Sequence, residues 1–423
     1  MKYTKSVFVT AFALFSLFFG AGNLILPPFL GYNAGDTWIW VTLGFVLSAV
    51  LIPILAIFGH AQLQGTMMDF AVKVSPTFAL IYCIIIYAIS VALPAPRTAS
   101  VTYEMAIQPY FDLSSWVLSA LYFALVLLFV LNRSKVLNLV GKYLTPGIII
   151  ILLLIISIGL YDDGGIVRSS IFENSLTSGI LEGYQTFDAI GGVVVGGVIV
   201  ISLGLKNNNF EERKYVITRA GIIAGLGLLL IYGGLIALGA SQSNELVLEN
   251  RTALLQLLSK SALGDTGTLF LSVLVALACF TTAVGIVTGT ADFFKSRFRD
   301  SQKAYTITAI IACILGVLMG QFNVDYIIAV AVPALMFIYP ITIALILLNV
   351  LPKKIATPLV FRAVIITTIL FSFPDFLATI GFKDIAVNAQ QIIPLGSVSL
   401  GWVLPAFLVF LCTASFEMLR KPK

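Results

Sequence analysis

Apolar residues run in long blocks separated by short polar connectors, and the blocks set the architecture. Twelve blocks can be marked, at approximately 6–32, 36–59, 77–106, 115–131, 137–160, 182–205, 215–240, 264–293, 303–321, 325–350, 358–380 and 391–417. Each is close to or above the roughly 20 apolar residues that a helix needs to cross the hydrocarbon of a bilayer. The connectors leave no room for a separate soluble domain. The pattern predicts an all-α integral membrane protein with twelve transmembrane helices.

The first and sixth blocks are interrupted in their middles. In the first, Gly20-Ala21-Gly22-Asn23 is followed by Pro27-Pro28. Unpaired backbone groups cost several kcal/mol each in hydrocarbon, so a broken helix at membrane depth is expected only where protein or water shields it. Asn23 is placed to act as N-cap of a second half-helix. Pro27 and Pro28 lack N–H groups, so the carbonyls of Asn23 and Leu24 lose their usual helical partners. Free carbonyls suit a cation and a bare helix N-terminus suits a carboxylate. This points to a transporter.

The sixth block runs from Gly183-Tyr184-Gln185-Thr186-Phe187-Asp188 through Ala189-Ile190-Gly191-Gly192, with Gly196-Gly197 one turn later. Breaks in blocks one and six suggest two halves of five helices, and an odd number inverts the second half in the membrane. The expected units are 1–160, 161–350 and two additional helices in 351–423. The glycines have an alternative use, letting helices approach closely.

Composition agrees with this. The 423 residues are 59% hydrophobic and 11% charged, with a mean hydropathy of +1.03, which excludes an ordinary soluble domain. The N-terminal run reads as a first membrane segment rather than a signal peptide, because it stays apolar past Gly20-Ala21-Gly22. With both termini on one side, 20 of the 25 basic residues fall on that side, among them Lys73, Lys142, Arg213, Lys295 and Lys353. The positive-inside rule therefore places both termini in the cytoplasm. Such loop charges face a lipid bilayer, and no nucleic-acid partner is expected. Cys83, Cys279, Cys313 and Cys412 read as small apolar residues, and His60 as an interfacial polar residue. Nothing in the sequence specifies an oligomeric state.

Polar residues inside the blocks are the candidate chemistry. Thr281 and Thr282 follow Ala278-Cys279-Phe280 in block eight. Adjacent hydroxyls can ligate an alkali cation, or they can bond back to carbonyls one turn earlier. Arg97, in the run Pro96-Arg97-Thr98-Ala99, is costly within a membrane helix. It either gates the outer vestibule, orders the broken sixth helix through Asp188, or reaches to the interface. Glu104 lies two turns on, on the same face. No nucleophile elbow, P-loop or HExxH motif is present, so neither an enzyme nor a cofactor is expected.

The runs Phe19-Gly20-Ala21-Gly22-Asn23-Leu24-Ile25-Leu26-Pro27-Pro28, Pro96-Arg97-Thr98-Ala99 and Gly183-Tyr184-Gln185-Thr186-Phe187-Asp188-Ala189 resemble the branched-chain amino acid:cation symporters of bacteria. The resemblance extends along the whole chain. It implies the LeuT-type five-plus-five inverted repeat, working by alternating access between a bundle of helices one, two, six and seven and a scaffold of three, four, eight and nine. It also implies a sodium ion on the carbonyls of Ser16 and Phe19 and on Ala278, Thr281 and Thr282. The alternative is a proton-coupled importer of branched-chain or other neutral amino acids, and after it a channel. The substrate carboxylate is then expected at N–H groups around Gly20, Ala21, Gly22, Asn23 and Leu24. The ammonium is expected at carbonyls of Phe187, Asp188, Ala189 and Ile190. Leucine, isoleucine and valine are the implied substrates.

Overall fold

The computed structural model describes residues 4–132, 136–161, 167–204, 209–243 and 250–420. The remaining positions, among them Arg133, Lys135, Asp162, Asp163, Lys206, Glu245, Glu249 and Lys421, lie outside the described residues, as do the side chains of Ala21 and Lys142. Among the described residues every regular element is helical.

The first pass consists of α1 (Thr4–Phe18) and α2 (Ala21–Ala34), and the second of α3 (Trp38–Val46) and α4 (Ile52–Leu63), joined by a π-helical turn. A short α5 (Met67–Ala71) precedes the third pass, α6 (Pro76–Ala92) and α7 (Pro94–Thr102). The fourth and fifth passes are α8 (Ser115–Asn132) and α9 (Val136–Tyr161). The sixth is divided into α10 (Ser175–Tyr184) and α11 (Asp188–Gly204), and the seventh is α12 (Phe210–Ser241). Then come α13 (Arg251–Arg297), α14 (Gln302–Gly320), α15 (Val324–Val350), α16 (Pro358–Thr379), the short α17 (Lys383–Ile392) and α18 (Val403–Arg420). Grouped this way, the described helices make the twelve passes read from the apolar blocks.

Four details differ from the sequence reading. The first break falls at Phe19–Gly20, and Gly20, not Asn23, stands at the N-cap of α2. Asn23 is already inside the helix, and Pro27 and Pro28 are carried within it. The sixth break falls at Gln185–Phe187, ahead of the glycine pairs, with Phe187 in the left-handed region at φ 62°. Third, the connector after the seventh pass contains a helix. Residues 251–263 form an amphipathic stretch that α13 leaves at Gly264, where φ is +67° and only glycine is unstrained. Fourth, the last apolar block divides at Pro394 and Gly396, leaving the amphipathic α17 separate from α18.

Two groups of helices can be traced through the packing, in direct contact where α2 meets α13. Helices α1 and α2 lie on α12, α3 lies on α10, and α4 lies on α11, which joins passes one, two, six and seven. Helix α13 packs on α7, α8 and α14, and α14 packs on α7 and α8, which joins passes three, four, eight and nine. Helix α9 bridges the groups by touching α1, α12 and α13, while α15, α16 and α18 form a flank. Backbone meets backbone where α2 crosses α12. A Cβ on Gly31 would lie 1.9 Å from the Ile236 carbonyl oxygen, and one on Gly239 1.9 Å from that of Pro28. Only glycines allow that approach. Gly192 and Gly196 have the same use, meeting Pro53 and Ala56 and the His60 ring respectively, whereas Gly191 faces open space.

His60 is fully buried rather than interfacial, with one ring nitrogen 2.8 Å from the Val193 carbonyl oxygen and the other 3.2 Å from that of Gly65. Cys83, Cys279 and Cys313 are buried, and Cys412 is exposed.

Candidate functional site

The two breaks face each other across the middle of the bundle. At the first, the ladder of amide bonds slips. The Gly20 N–H donates to the Phe18 carbonyl (2.9 Å) and the Asn23 N–H to that of Gly20 (3.2 Å). In a continuous helix those amides would have bonded Ser16 and Phe19, whose carbonyls are thereby released. Gly22 stands in the first turn of α2, where backbone N–H groups point out of the helix end. Gly20 brings no capping side chain. The break therefore presents released acceptors on the α1 side and, on the α2 side, a helix start with no side-chain cap.

At the second break three of the first α11 amides have acceptors. The Asp188 N–H donates to Thr186 Oγ1 (3.2 Å) and the Ala189 N–H to the Tyr339 hydroxyl (3.4 Å). The Phe187 carbonyl accepts from the Gly191 N–H (2.8 Å). The Gln185 carbonyl instead accepts from Arg97 Nη1 (2.7 Å).

A polar network ties the breaks together. Asn23 Nδ2 donates to Asp188 Oδ2 (2.6 Å), and the Tyr232 hydroxyl donates to the same oxygen (3.1 Å) while also contacting Asn23. All three residues are buried. Asp188 opens α11, where a carboxylate also meets the positive end of the helix dipole. Tyr232 was not singled out from the sequence. It sits in an apolar helix with nothing local to separate it from a packing aromatic.

A cavity of about 10 Å³, the scale of one water or one small ion, lies between α1 and α13. Ser16, Phe19, Ala278 and Thr281 line it, together with Phe15, Thr145 and Ile148. Thr282 lies next to it against Gly20, where an added Cβ would be 3.9 Å from the threonine oxygen. Both hydroxyls donate to the Ala278 carbonyl, Thr281 at 3.0 Å and Thr282 at 2.9 Å. Their lone pairs stay available, but the Ala278 carbonyl is engaged twice and becomes a free acceptor only when one hydroxyl turns away. Thr145, on α9, is an oxygen that the sequence reading did not include.

Arg97 does not reach the interface. It is 3% exposed, lies between the two breaks, and stands over the Phe187 ring at 5.3 Å. Glu104 is not its partner. That carboxylate accepts from Thr252 Oγ1 (2.6 Å) and the Val324 N–H (2.9 Å), holding residues 251–263 and the start of α15. Arg251 adds ion pairs to Glu182 of α10 (3.1 Å) and to Asp325 of α15, and stacks over Phe29 of α2 at 4.9 Å. These contacts fasten the helix before Gly264 over the ends of three others.

This geometry can be set against known proteins. The profile of the branched-chain amino acid transport protein family matches residues 3–420. The chain belongs to that family. It is 31% identical to the branched-chain amino acid permease BrnQ of Bacillus subtilis over 430 residues, covering 98% of this chain and 97% of the permease. It is 32% identical to the branched-chain amino acid transport system 2 carrier protein of Pseudomonas aeruginosa, covering 97% and 96% of the two chains. Among solved structures, the nucleobase-cation-symport-1 family transporter Mhp1, in a closed conformation with bromovinylhydantoin bound, superposes with a TM-score of 0.60 at 13% identity. That match covers 98% of this chain and 93% of Mhp1. Members of the family are named as permeases and carriers, and this chain is accordingly a multi-pass membrane transporter and not an enzyme. Its fold is the LeuT-type inverted repeat, with passes one and six broken.

Proposed function

We propose that the protein is a secondary active symporter that imports leucine, isoleucine and valine together with Na⁺. The observation that carries the ion assignment is the cavity between the first break and α13. Ser16 and Phe19, whose carbonyls the break releases, line it with Thr281, and Thr282 lies beside it. Hard oxygen donors of this kind suit an alkali cation, and helices from both packing groups supply them. The names of the relatives, which cover nearly the full chain, support the substrate class.

In this reading 1–160 and 161–350 are the two inverted repeats, with 351–423 outside them. The bundle of passes one, two, six and seven rocks against the scaffold of three, four, eight and nine, and both termini face the cytoplasm. The ion joins α1 to α13, and the substrate joins α2 to the second break. Binding of both closes the bundle on the scaffold. An aliphatic pocket separates side chains by only about 1–3 kcal/mol per methylene, so the three branched substrates are expected to compete with one another.

Reconstituted protein should concentrate radiolabelled leucine inside proteoliposomes when an inward Na⁺ gradient is imposed without a proton gradient. Unlabelled isoleucine and valine should compete. Accumulation driven by protons alone would overturn the Na⁺ assignment and move the coupling to buried carboxylates such as Asp188. Absence of any leucine uptake would overturn the substrate.

A further inference from the structure

We infer that Arg97 is the receptor for the substrate's carboxylate, and that the uncapped start of α2 completes that site. This deepens the function proposed above, on which it rests, by assigning the recognition of the acid group to a side chain.

Three observations meet here. Arg97 is buried, yet among the described residues no carboxylate lies within ion-pairing distance of it. The nearest acid in the network, Asp188, spends its Oδ2 on Asn23 and Tyr232. Asp188 acts on the guanidinium through space but does not pair with it directly, and a buried charge without a direct counter-charge leaves room for an anion that arrives later. Second, the guanidinium is incompletely bonded: Nη1 donates to the Gln185 carbonyl, while the buried Nε has no partner. Third, its free edge is aimed at the start of α2, which no side chain caps. A Cβ on Gly22 would lie 2.3 Å from Nη2 and 2.8 Å from Cζ, so the guanidinium rests directly on that glycine in the first turn of α2.

A planar fork of donors beside the uncapped first turn of α2, at the positive end of its dipole, is a carboxylate site. The ring of Phe187 below the guanidinium holds its plane. Gly22 must lack a side chain for the fork to reach the helix start. The Gln185 carbonyl holds the arginine in place between transport cycles. It also links the arrival of the acid group to the backbone of the second break.

The test is equilibrium binding of leucine and leucinamide to the purified full-length protein in Na⁺ buffer, for the wild type, Arg97→Gln and Arg97→Lys. Leucinamide keeps the ammonium and the side chain but has no carboxylate. The wild type should favour leucine strongly. Arg97→Gln should weaken leucine roughly 10- to 100-fold, as expected for loss of a hydrogen bond to a charged group, with little change for leucinamide. Arg97→Lys should fall between them, because it keeps the charge without the fork. An unchanged leucine-to-leucinamide ratio in Arg97→Gln would overturn the assignment. If that variant shows no melting transition, an unchanged ratio in Arg97→Lys would do the same. A wild type that binds both compounds equally would also overturn it while leaving the leucine carrier standing. A wild type that binds no leucine would overturn the proposed function itself.

Discussion

Asp188→Ala is expected to reduce leucine uptake at least tenfold, and Asp188→Asn to retain part of it. The carboxylate joins three elements at one oxygen: Asn23 in α2, Tyr232 in α12, and its own position at the start of α11. Removing it leaves a buried amide and a buried hydroxyl without their acceptor. Each such orphan costs about 1–3 kcal/mol, which corresponds to roughly 5- to 150-fold in an equilibrium. The two broken helices would then lose the side-chain bond that couples them. Asparagine can still accept through its carbonyl oxygen, hence the partial activity. Initial uptake rates, measured alongside melting temperatures in detergent, separate this from simple unfolding. A stable Asp188→Ala protein with wild-type uptake would show that the helices move together without this bond.

The second large effect concerns Thr281 and Thr282. Replacing either with valine keeps the shape and removes the oxygen. The Na⁺ concentration for half-maximal uptake should rise about tenfold or more in each variant, in line with loss of roughly 1.5 kcal/mol or more from a charged contact. Serine at either position should restore most of it. The Ala278 bonds give these hydroxyls a second use, since such back-bonding is common in membrane helices. That use predicts a different result: Thr→Val would shift stability slightly and leave the Na⁺ dependence unchanged. Wild-type Na⁺ activation in both variants would therefore remove the ion from this cavity.

Much of the architecture was legible because lipid makes the sequence explicit. Apolar length marks the passes, and interruptions such as Gly20-Ala21-Gly22 are conspicuous within them. Arg97 stood out for the same reason, as a charge in the wrong solvent. The location of the breaks was less legible. Asn23 has the residue type of a cap, but its amide finds a stronger acceptor in Asp188, 165 positions away, and Gly20 takes the cap position. The glycine pair after Asp188 drew attention to itself, whereas the chain breaks at Gln185–Phe187. Residues 251–263 were passed over because a short amphipathic helix has no long apolar run. With it went the anchor that Arg251 makes to Glu182 and Asp325. Tyr232, Thr145 and the engagement of Glu104 with Thr252 arise from tertiary contacts that no local spacing encodes.

The central claim is that the ion and the substrate share the first broken helix, so each should strengthen the binding of the other by the same factor. The direct measurement is the equilibrium affinity of the purified wild-type protein for leucine across a series of Na⁺ concentrations, with choline holding ionic strength constant. The affinity should rise as Na⁺ is added and then level off as the ion site fills. An affinity that is the same in choline as in Na⁺ would contradict the account.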